Sequence, residues 1–543
     1  MKDPFPLSYL AHFPFDVSHD SAIDTLHGSG ALGQMVSLSF SLHSHIALSD
    51  ITLRATGLSS SSGAISQNNL ALHVVKVWDQ AGIGVYHSQS RPVAELLLKD
   101  DRVPLSDSYR PHITNWRHLL RPAHVYVPPN VRLTGEVVCS LDAGGSKQVW
   151  VTVRIPAEAT PGTYTGVISV ECAQHQSALA LVLQVLPFSL LEPEPDLFLW
   201  YNGCLDPKRP QHFVSEDTMR LQLQDIYDHG FRSISLLERR TECLQRALDI
   251  ADEVGFNRNV VLMTPLLGDA SRLDFHEMQP LHYVSDEIDV RGGSWIRHHQ
   301  ENTKAVRQSN GKTMASLRQQ SFARRLQDDA DIGHYPDIVS YYLADNLTYF
   351  LAHSEFPPLR TTPTYYYWLS HMEKPNLHRL LAGLYLWKTK AAGIAPYCYQ
   401  HLPRYPASPL NDSDPWDDGT PADTRPLRHH MTTYPARSGS IPTVQWKGLS
   451  EGITDLRYLT TLQAAIASAE YLSDDARSRA AEAQARVATF LTRIKMTAIA
   501  INSDTEREPY PDIAPVEYQS FREKMATDIV ALLEAGVILS IRA

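Results

Sequence analysis

The chain has 543 residues, 43% hydrophobic and 20% charged, the balance of a water-soluble globular protein and too long for a single core, so two or three domains are expected. A formal net charge of -11 argues against a nucleic-acid partner, which wants a basic face. No apolar run approaches the ~20 residues of a membrane-spanning helix. Met1–Leu10 holds one lysine and no sustained apolar core, so no secretory signal is visible. That reads as a cytoplasmic protein, or a secreted one if the N-terminus is incomplete. Five cysteines, Cys139, Cys172, Cys204, Cys243 and Cys398, are scattered without C-x-x-C spacing, which predicts free thiols and neither a disulfide framework nor a zinc site. The 24 histidines form no H-E-x-x-H pattern, and the adjacent pairs His298-His299 and His429-His430 read as surface. No metal or organic cofactor is implied. Nothing in the sequence sets the oligomeric state.

In chain order, residues 1–30 read as an irregular N-terminus, and 31–190 as a β-sandwich domain. Met35–Leu42, Ile51–Ala55, Leu70–Val77 and Val149–Ile155 are short alternating runs separated by turn-rich clusters such as Ser59–Gly63. Val149, Val151, Val153 and Ile155 alternate up to Pro156, Pro161-Gly162 sets a turn, and further strands run through Tyr164 and through Ala178–Leu186. Period-two strands at short spacing with turn chemistry between them are the pattern of a sandwich. Its expected role is that of a supporting module.

Leu191-Glu-Pro-Glu-Pro195 reads as a proline-spaced linker. The period then changes. Leu197–Asn202, Ser233–Leu237 and Asn259–Thr264 read as strands, with helices at Ser215–His229 and Thr241–Val254 between them. Residues 265–311 read as a long polar connection. A helix over Thr313–Asp331 and a strand over Ile338–Asp345 follow, then a strand at Tyr365–Trp368, a helix over Leu377–Ala392 and a strand at Ile394–Gln400. Strands alternating with helices predict βαβ units and a parallel sheet, most simply a (β/α)8-type barrel over 196–450. Six strands are counted where a closed barrel has eight, and the gap is placed between Asn346 and Thr364. Residues 451–543 read as a C-terminal helical region, with helices over Glu451–Glu470, Asp474–Met496 and Gln519–Ala535.

The stretch Asp337–Asn346 is the best candidate for chemistry. It is a β-branched and aromatic run that ends in Asp345-Asn346, and reactive groups of α/β barrels sit where the strands end. Asp and Asn also favour helix caps and turns. Trp200, Tyr201, Tyr399, Trp387 and Trp416 are candidate aromatic binding surfaces at strand ends and in the following loop, Tyr399 and Trp416 foremost. Asp414, Asp417 and Asp418 are candidate hydroxyl binders in the loop 402–440. Glu238, at the end of a strand, is a candidate acid. Asp286-Glu287 reads as a solvated turn, and Glu451 and Asp455 as structural groups pinning Arg457 or a loop.

Three pieces in this order resemble glycoside hydrolase family 123, the β-N-acetylgalactosaminidases, over roughly residues 140–465. The first is Val149–Pro156 with Pro161–Gly166. The second is Tyr342-Leu-Ala-Asp-Asn346, similar to a strand ending in Asp-Glu. The third is Gly383-Leu-Tyr-Leu-Trp387, Asp414-Pro-Trp416, Tyr434-Pro435 and Ile441-Pro442, leading to Ser450-Glu-Gly-Ile-Thr-Asp-Leu-Arg-Tyr-Leu459. The resemblance implies a retaining enzyme that uses the substrate's own 2-acetamido oxygen as nucleophile, an exception to the two-carboxylate rule, with a glycan or glycoconjugate as partner. It casts Asp345 as the orienting carboxylate and Asn346 at the position of the family's general acid. A carboxamide has no proton to give near neutral pH. Two expectations therefore stand: a glycosidase with a substitute acid such as Glu238, or a catalytically inactive carbohydrate-binding or scaffold protein derived from that fold.

Overall fold

The computed structural model describes residues 7–12, 14–15, 21–81, 90–102, 131–173, 175–209, 212–262, 272–319, 322, 325–326, 335–343, 363–369, 374–400, 431–436, 439–494 and 513–539.

The first part is two packed antiparallel layers. Strands β1 (Leu7–Ala11), β3 (Met35–Ser44), β10 (Ser146–Arg154), β7 (Leu70–Ala81) and β8 (Ser90–Leu98) form one sheet in that order. The other runs β2 (Thr25–Leu32), β12 (His175–Ser189), β11 (Gly162–Cys172), β4 (Leu48–Ala55) and β9 (Val137–Leu141), with the short β5 (Leu58–Ser59) and β6 (Ala64–Ile65) beside β11. Alternation does the work here: Val149, Val151 and Val153 are fully buried between the layers with Phe40, Leu42 and Leu181. The stretch 1–30, expected irregular, supplies β1 and β2. β2 pairs in parallel with β12, Thr25 opposite Ala180, a distant partner that no local pattern announces.

After the linker, β13 (Asp196–Leu199), β14 (Ser233–Leu236), β15 (Asn259–Leu262), β16 (Gln279–Ser285), β17 (Lys312–Leu317), β18 (Ile338–Tyr342), β19 (Thr364–Tyr367) and β20 (Gly393–Ile394) close a parallel barrel in sequence order. The barrel is complete. The two strands missing from the sequence reading lie upstream of Asp345, not between Asn346 and Thr364. One is β16, inside the stretch expected to be a connection, followed by helices Ile288–Arg291 and Gly293–Gln308. The other is β17, where a helix was expected. Lys-Thr-Met-Ala-Ser-Leu has weak β-propensity, but all of it after Lys312 is buried between β16 and β18; tertiary context overrides so small a preference. The helix expected over Leu377–Ala392 breaks at Gly383 into Pro375–Ala382 and Leu384–Thr389. β20 is two residues long, shorter than expected.

A hairpin of β21 (Thr433–Ala436) and β22 (Gly439–Pro442) leads into the helix Val444–Ala469, which crosses the boundary expected at residue 450. Gly448 and Gly452 are the reason it seats tightly. A Cβ at Gly452 would stand 2.3 Å from the Arg379 carbonyl oxygen, and one at Gly448 would stand 2.4 Å from that of Pro375. The close approach holds a buried charge cluster. Asp455 accepts from Arg379 Nε at 2.7 Å and from Arg522 Nε at 2.7 Å, while Glu451 accepts from Arg522. Glu451 and Asp455 are structural, but their partners are Arg379 and Arg522; Arg457 instead bonds the Leu190 carbonyl. Helices Asp474–Thr492 and Pro515–Glu534 complete this end. Among the described residues, no helix is long and apolar enough to cross a membrane.

Candidate active site

A parallel strand buried on both faces gives no amphipathic signal, so the barrel decides which residues face inward. Alternate side chains fall into two separate clusters. Leu197, Leu199, Tyr201, Tyr341, Tyr366 and Tyr399 pack outward with the helices. Phe198, Trp200, Tyr283, Tyr342, Tyr365 and Tyr367 pack inside.

The N-terminal end of the barrel is plugged by a polar knot. Asp196 accepts from Ser233 Oγ at 2.5 Å, Asn259 Nδ2 at 2.8 Å and the Tyr365 hydroxyl at 2.8 Å. Three donors offset the cost of burying the carboxylate. That end is closed and structural.

The C-terminal end differs. Trp200 meets Tyr283 edge-on at 4.8 Å between ring centroids and Tyr397 at 6.5 Å, and Tyr342 lies 5.2 Å from Tyr367. The Arg318 guanidinium stands 5.0 Å over the Tyr342 ring. Two carboxylates join this aromatic set just past β16. Tyr283 donates to Asp286 Oδ1 at 2.8 Å, and Tyr367 donates to Glu287 Oε1 at 2.7 Å. Arg291 pairs with Asp286. Burial pushes the Glu287 carboxyl up, the Tyr367 hydroxyl opposes that, and the Asp286 charge adds to it. The Glu287 backbone is left-handed, φ 46° and ψ 47°, which costs a residue with a Cβ about 1–2 kcal/mol. Its amide donates to the Ser316 carbonyl at 3.0 Å, across to β17. Strain held by such contacts gathers at functional sites. Asp286-Glu287, expected as a solvated turn, is instead fixed at a strand end on the barrel mouth. The local sequence hides this because β16 opens with Gln-Pro and carries no period-two alternation.

The other candidates scatter. Trp200 joins the inner cluster at the mouth. Tyr201 is fully buried outside the barrel and donates to Gln222 Oε1 at 2.7 Å. Tyr399 is also fully buried and donates to Asp225 Oδ2 at 2.8 Å, beside Trp446. Trp387, half-buried, packs on the helical side. Glu238 follows β14 and is 2% exposed. One of its oxygens accepts the Leu205 amide at 2.5 Å, and the other is buried without a partner. Burial pushes its carboxyl up too. His299, expected at the surface, is fully buried against Ser285. Asp345, Asn346, Asp414, Trp416, Asp417 and Asp418 lie outside the described residues. Among the described residues, no group of His, Cys, Asp and Glu is arranged to hold a metal ion, and all five cysteines are free.

A solved structure shares this fold. A family 123 glycoside hydrolase from Clostridium perfringens, studied for glycolipid glycan hydrolysis, superposes with a TM-score of 0.61 over 98% of this chain and 100% of its own, at 11% identity. The chain has the family 123 glycoside hydrolase fold. Two β-glucuronidases are also similar but too distant to add to this. The enzyme of Parabacteroides merdae has a TM-score of 0.31 and 10% identity over 79% of this chain and 52% of its own. β-Glucuronidase 3 of Bacteroides uniformis has 0.30 and 11% over 80% and 52%. No family model matches the chain, and no curated protein matches its sequence. In the family 123 fold seen here, the sandwich buttresses the barrel through the Arg154–Asp228 ion pair and a shared cluster of Phe15, Trp150 and Val444. The mouth between Trp200 and Glu287 is the barrel end opposite the Asp196 knot.

Proposed function

We propose that this protein is a glycoside hydrolase. It removes terminal β-linked N-acetylgalactosamine from a glycan or glycoconjugate with retention, using the sugar's 2-acetamido oxygen as nucleophile. The observation that carries the reading is the barrel mouth. Aromatic rings suited to a sugar face, Trp200, Tyr283, Tyr342 and Tyr367, stand around a carboxyl, Glu287, that burial biases toward its protonated form. The resemblance of Tyr342–Asn346 to a strand ending in Asp-Glu, and the family 123 fold, support it.

In this reading Asp345 orients the acetamido group and stabilises it as it closes on the anomeric carbon. Asn346 contributes hydrogen bonds only. Glu287 gives its proton to the leaving oxygen, a role that needs a carboxyl whose pKa sits above the ordinary range. Glu287 is preferred to Glu238 because it is partly exposed and adjoins the inner aromatic set, whereas Glu238 is sealed beneath Leu205.

The test compares an aryl β-N-acetylgalactosaminide with the aryl β-galactoside that lacks the acetamido group. Cleavage of the first only, released initially as the β-anomer, with a loss of about 10²-fold or more in Asp345→Asn, is the expected result. Equal cleavage of both would overturn the acetamido mechanism. A second reading, an inactive sugar-binding or scaffold protein, is favoured by Asn346. It predicts that neither substrate turns over, with or without sugar affinity.

A further inference from the structure

The outer face of the first sandwich sheet meets the barrel's helical layer over a polar cavity of about 310 Å³. Its walls come from distant parts of the chain. His73 and Thr152 lie on neighbouring strands, Lys99 directly follows β8, and Lys447 is in the first turn of the helix after β22. His73, Lys99, Thr152 and Lys447 are each at least 91% buried, by their exposures of 9%, 4%, 8% and 6%. Arg132 and Arg154 stand exposed at the rim, so the cavity opens to solvent.

The donors here exceed the acceptors. The Lys99 ammonium spends one hydrogen on the Leu72 carbonyl at 2.5 Å. The Lys447 ammonium spends one on His229 Nε2 at 3.0 Å. An ammonium has three hydrogens, so each lysine keeps two. The Thr152 hydroxyl and His73 Nδ1 are buried without any hydrogen-bond partner. The carboxylate in the cavity wall, Asp225, and the others acting on Lys447 are already committed. Asp225 takes Tyr399, Trp446 and His229, and Asp228 takes Arg154 and Gln224. Glu451, which also acts on Lys447, takes Arg522. Among the described residues, neither lysine has a carboxylate within ion-pair distance. Asp225, Glu451 and Asp228 act on Lys447 only from beyond that distance, and the charge acting on Lys99 is that of Arg132; buried cations so weakly compensated are costly, and orphaned buried polar groups ask for an explanation.

We propose that this cavity is a binding site for a tetrahedral oxyanion, phosphate or sulfate, either free or as the terminal ester of a glycan. Such an ion brings negative charge and several acceptor oxygens. Lys99 and Lys447 hold it from the two sides of the junction, Thr152 donates its hydroxyl, His73 donates in the tautomer protonated on Nδ1, and the rim arginines draw it in. Burial and the nearby Arg132 charge push the Lys99 ammonium down to about 8, and a bound anion would reverse that shift. Occupancy would clamp the sandwich to the barrel, because its ligands come from both.

The test is calorimetric titration of the full chain with inorganic phosphate, with inorganic sulfate, and with a sulfated N-acetylhexosamine beside its unsulfated parent, at constant ionic strength. Saturable binding that raises the melting temperature is expected. It should weaken about tenfold or more in Lys99→Met, the scale set by losing one charged hydrogen-bond partner. Thr152→Val, a near-isosteric change that leaves the charges in place, should weaken it severalfold and serves if Lys99→Met fails to fold. Tight binding of the inorganic ions alone assigns the site to a free ion; preference for the sulfated sugar over its parent assigns it to an ester. No saturable binding of any of them, or binding untouched by Thr152→Val and Lys99→Met, overturns the proposal.

Discussion

Replacing Glu287 by glutamine isolates the proton from everything else this residue does. The carboxamide oxygen still accepts from the Tyr367 hydroxyl, which reaches Glu287 Oε1 at 2.7 Å, so the side chain keeps its place. Only the transferable proton is lost. A positioned general acid is worth about 10²–10⁴-fold, or roughly 3–5 kcal/mol at 1.36 kcal/mol per tenfold. That loss should appear in kcat/KM on a natural β-linked N-acetylgalactosaminide, whose alkoxide leaves poorly unprotonated. An aryl glycoside, whose phenolate leaves unaided, should lose less than about tenfold. The pH profile adds a second check. The active form is protonated, so the parent's rate on the glycan falls as pH rises through the folded pKa of Glu287. Burial raises that pKa above the ordinary glutamate value of 4.5, so the falling limb lies on the neutral side of 4.5 and disappears in Glu287→Gln. Tyr367→Phe removes the opposing donor and should move the limb further upward in pH. Initial rates on both substrates across pH decide the matter. An equal fall on both substrates, or an unchanged glycan rate, would refute the role given to Glu287.

Four further outcomes are expected. With Glu287 already supplying the proton, Asn346→Glu should leave turnover of both the natural glycan and the aryl substrate nearly unchanged; a gain of about 10²-fold or more on the glycan alone would return the acid's role to position 346 and count against Glu287. Trp200→Ala should raise KM on both substrates and lower the melting temperature, since emptying a buried tryptophan site costs about 3–5 kcal/mol; an unaltered KM in the folded variant would remove Trp200 from the sugar site. Gly452→Ala should destabilise by about 1–3 kcal/mol, because the new methyl would stand 2.3 Å from the Arg379 carbonyl, and a melting temperature equal to the parent's would contradict that packing. Without added anion, stability should rise as pH climbs from about 8 to 10.5. The folded Lys99 pKa lies near 8 and its ordinary value is 10.5, so in that window the unfolded chain binds the extra proton. Lys99→Met should flatten this part of the pH–stability curve.

The two halves of the chain were not equally legible. Strands of the second sandwich sheet announce themselves because they have one buried face: in β12, Leu179, Leu181, Leu183 and Val185 go in while Ala178 and Gln184 do not. The helix Thr241–Val254 falls where its own periodicity puts it, ended by Gly255 in the left-handed conformation at φ 111°. The barrel is harder. β16 begins Gln-Pro and β17 begins Lys-Thr, and neither looks like a strand until neighbours bury it on both sides.

What the sequence determined by itself is the local layer: period-two strands, a change to βαβ spacing after Pro195, scattered cysteines without metal or disulfide spacing, and a run ending in Asp345-Asn346. Only the tertiary structure decided parity and partnership. Just past β13 two aromatic residues follow one another, and nothing local tells Trp200 from Tyr201; closure of the barrel turns the first toward the mouth and the second into the helical wall. By the same logic His73, Lys99, Thr152 and Lys447 are unremarkable one at a time. They become a site because the sandwich's outer face and the helix beginning at Val444 are pressed together, and charge that would be hydrated on a separate module is buried where they meet.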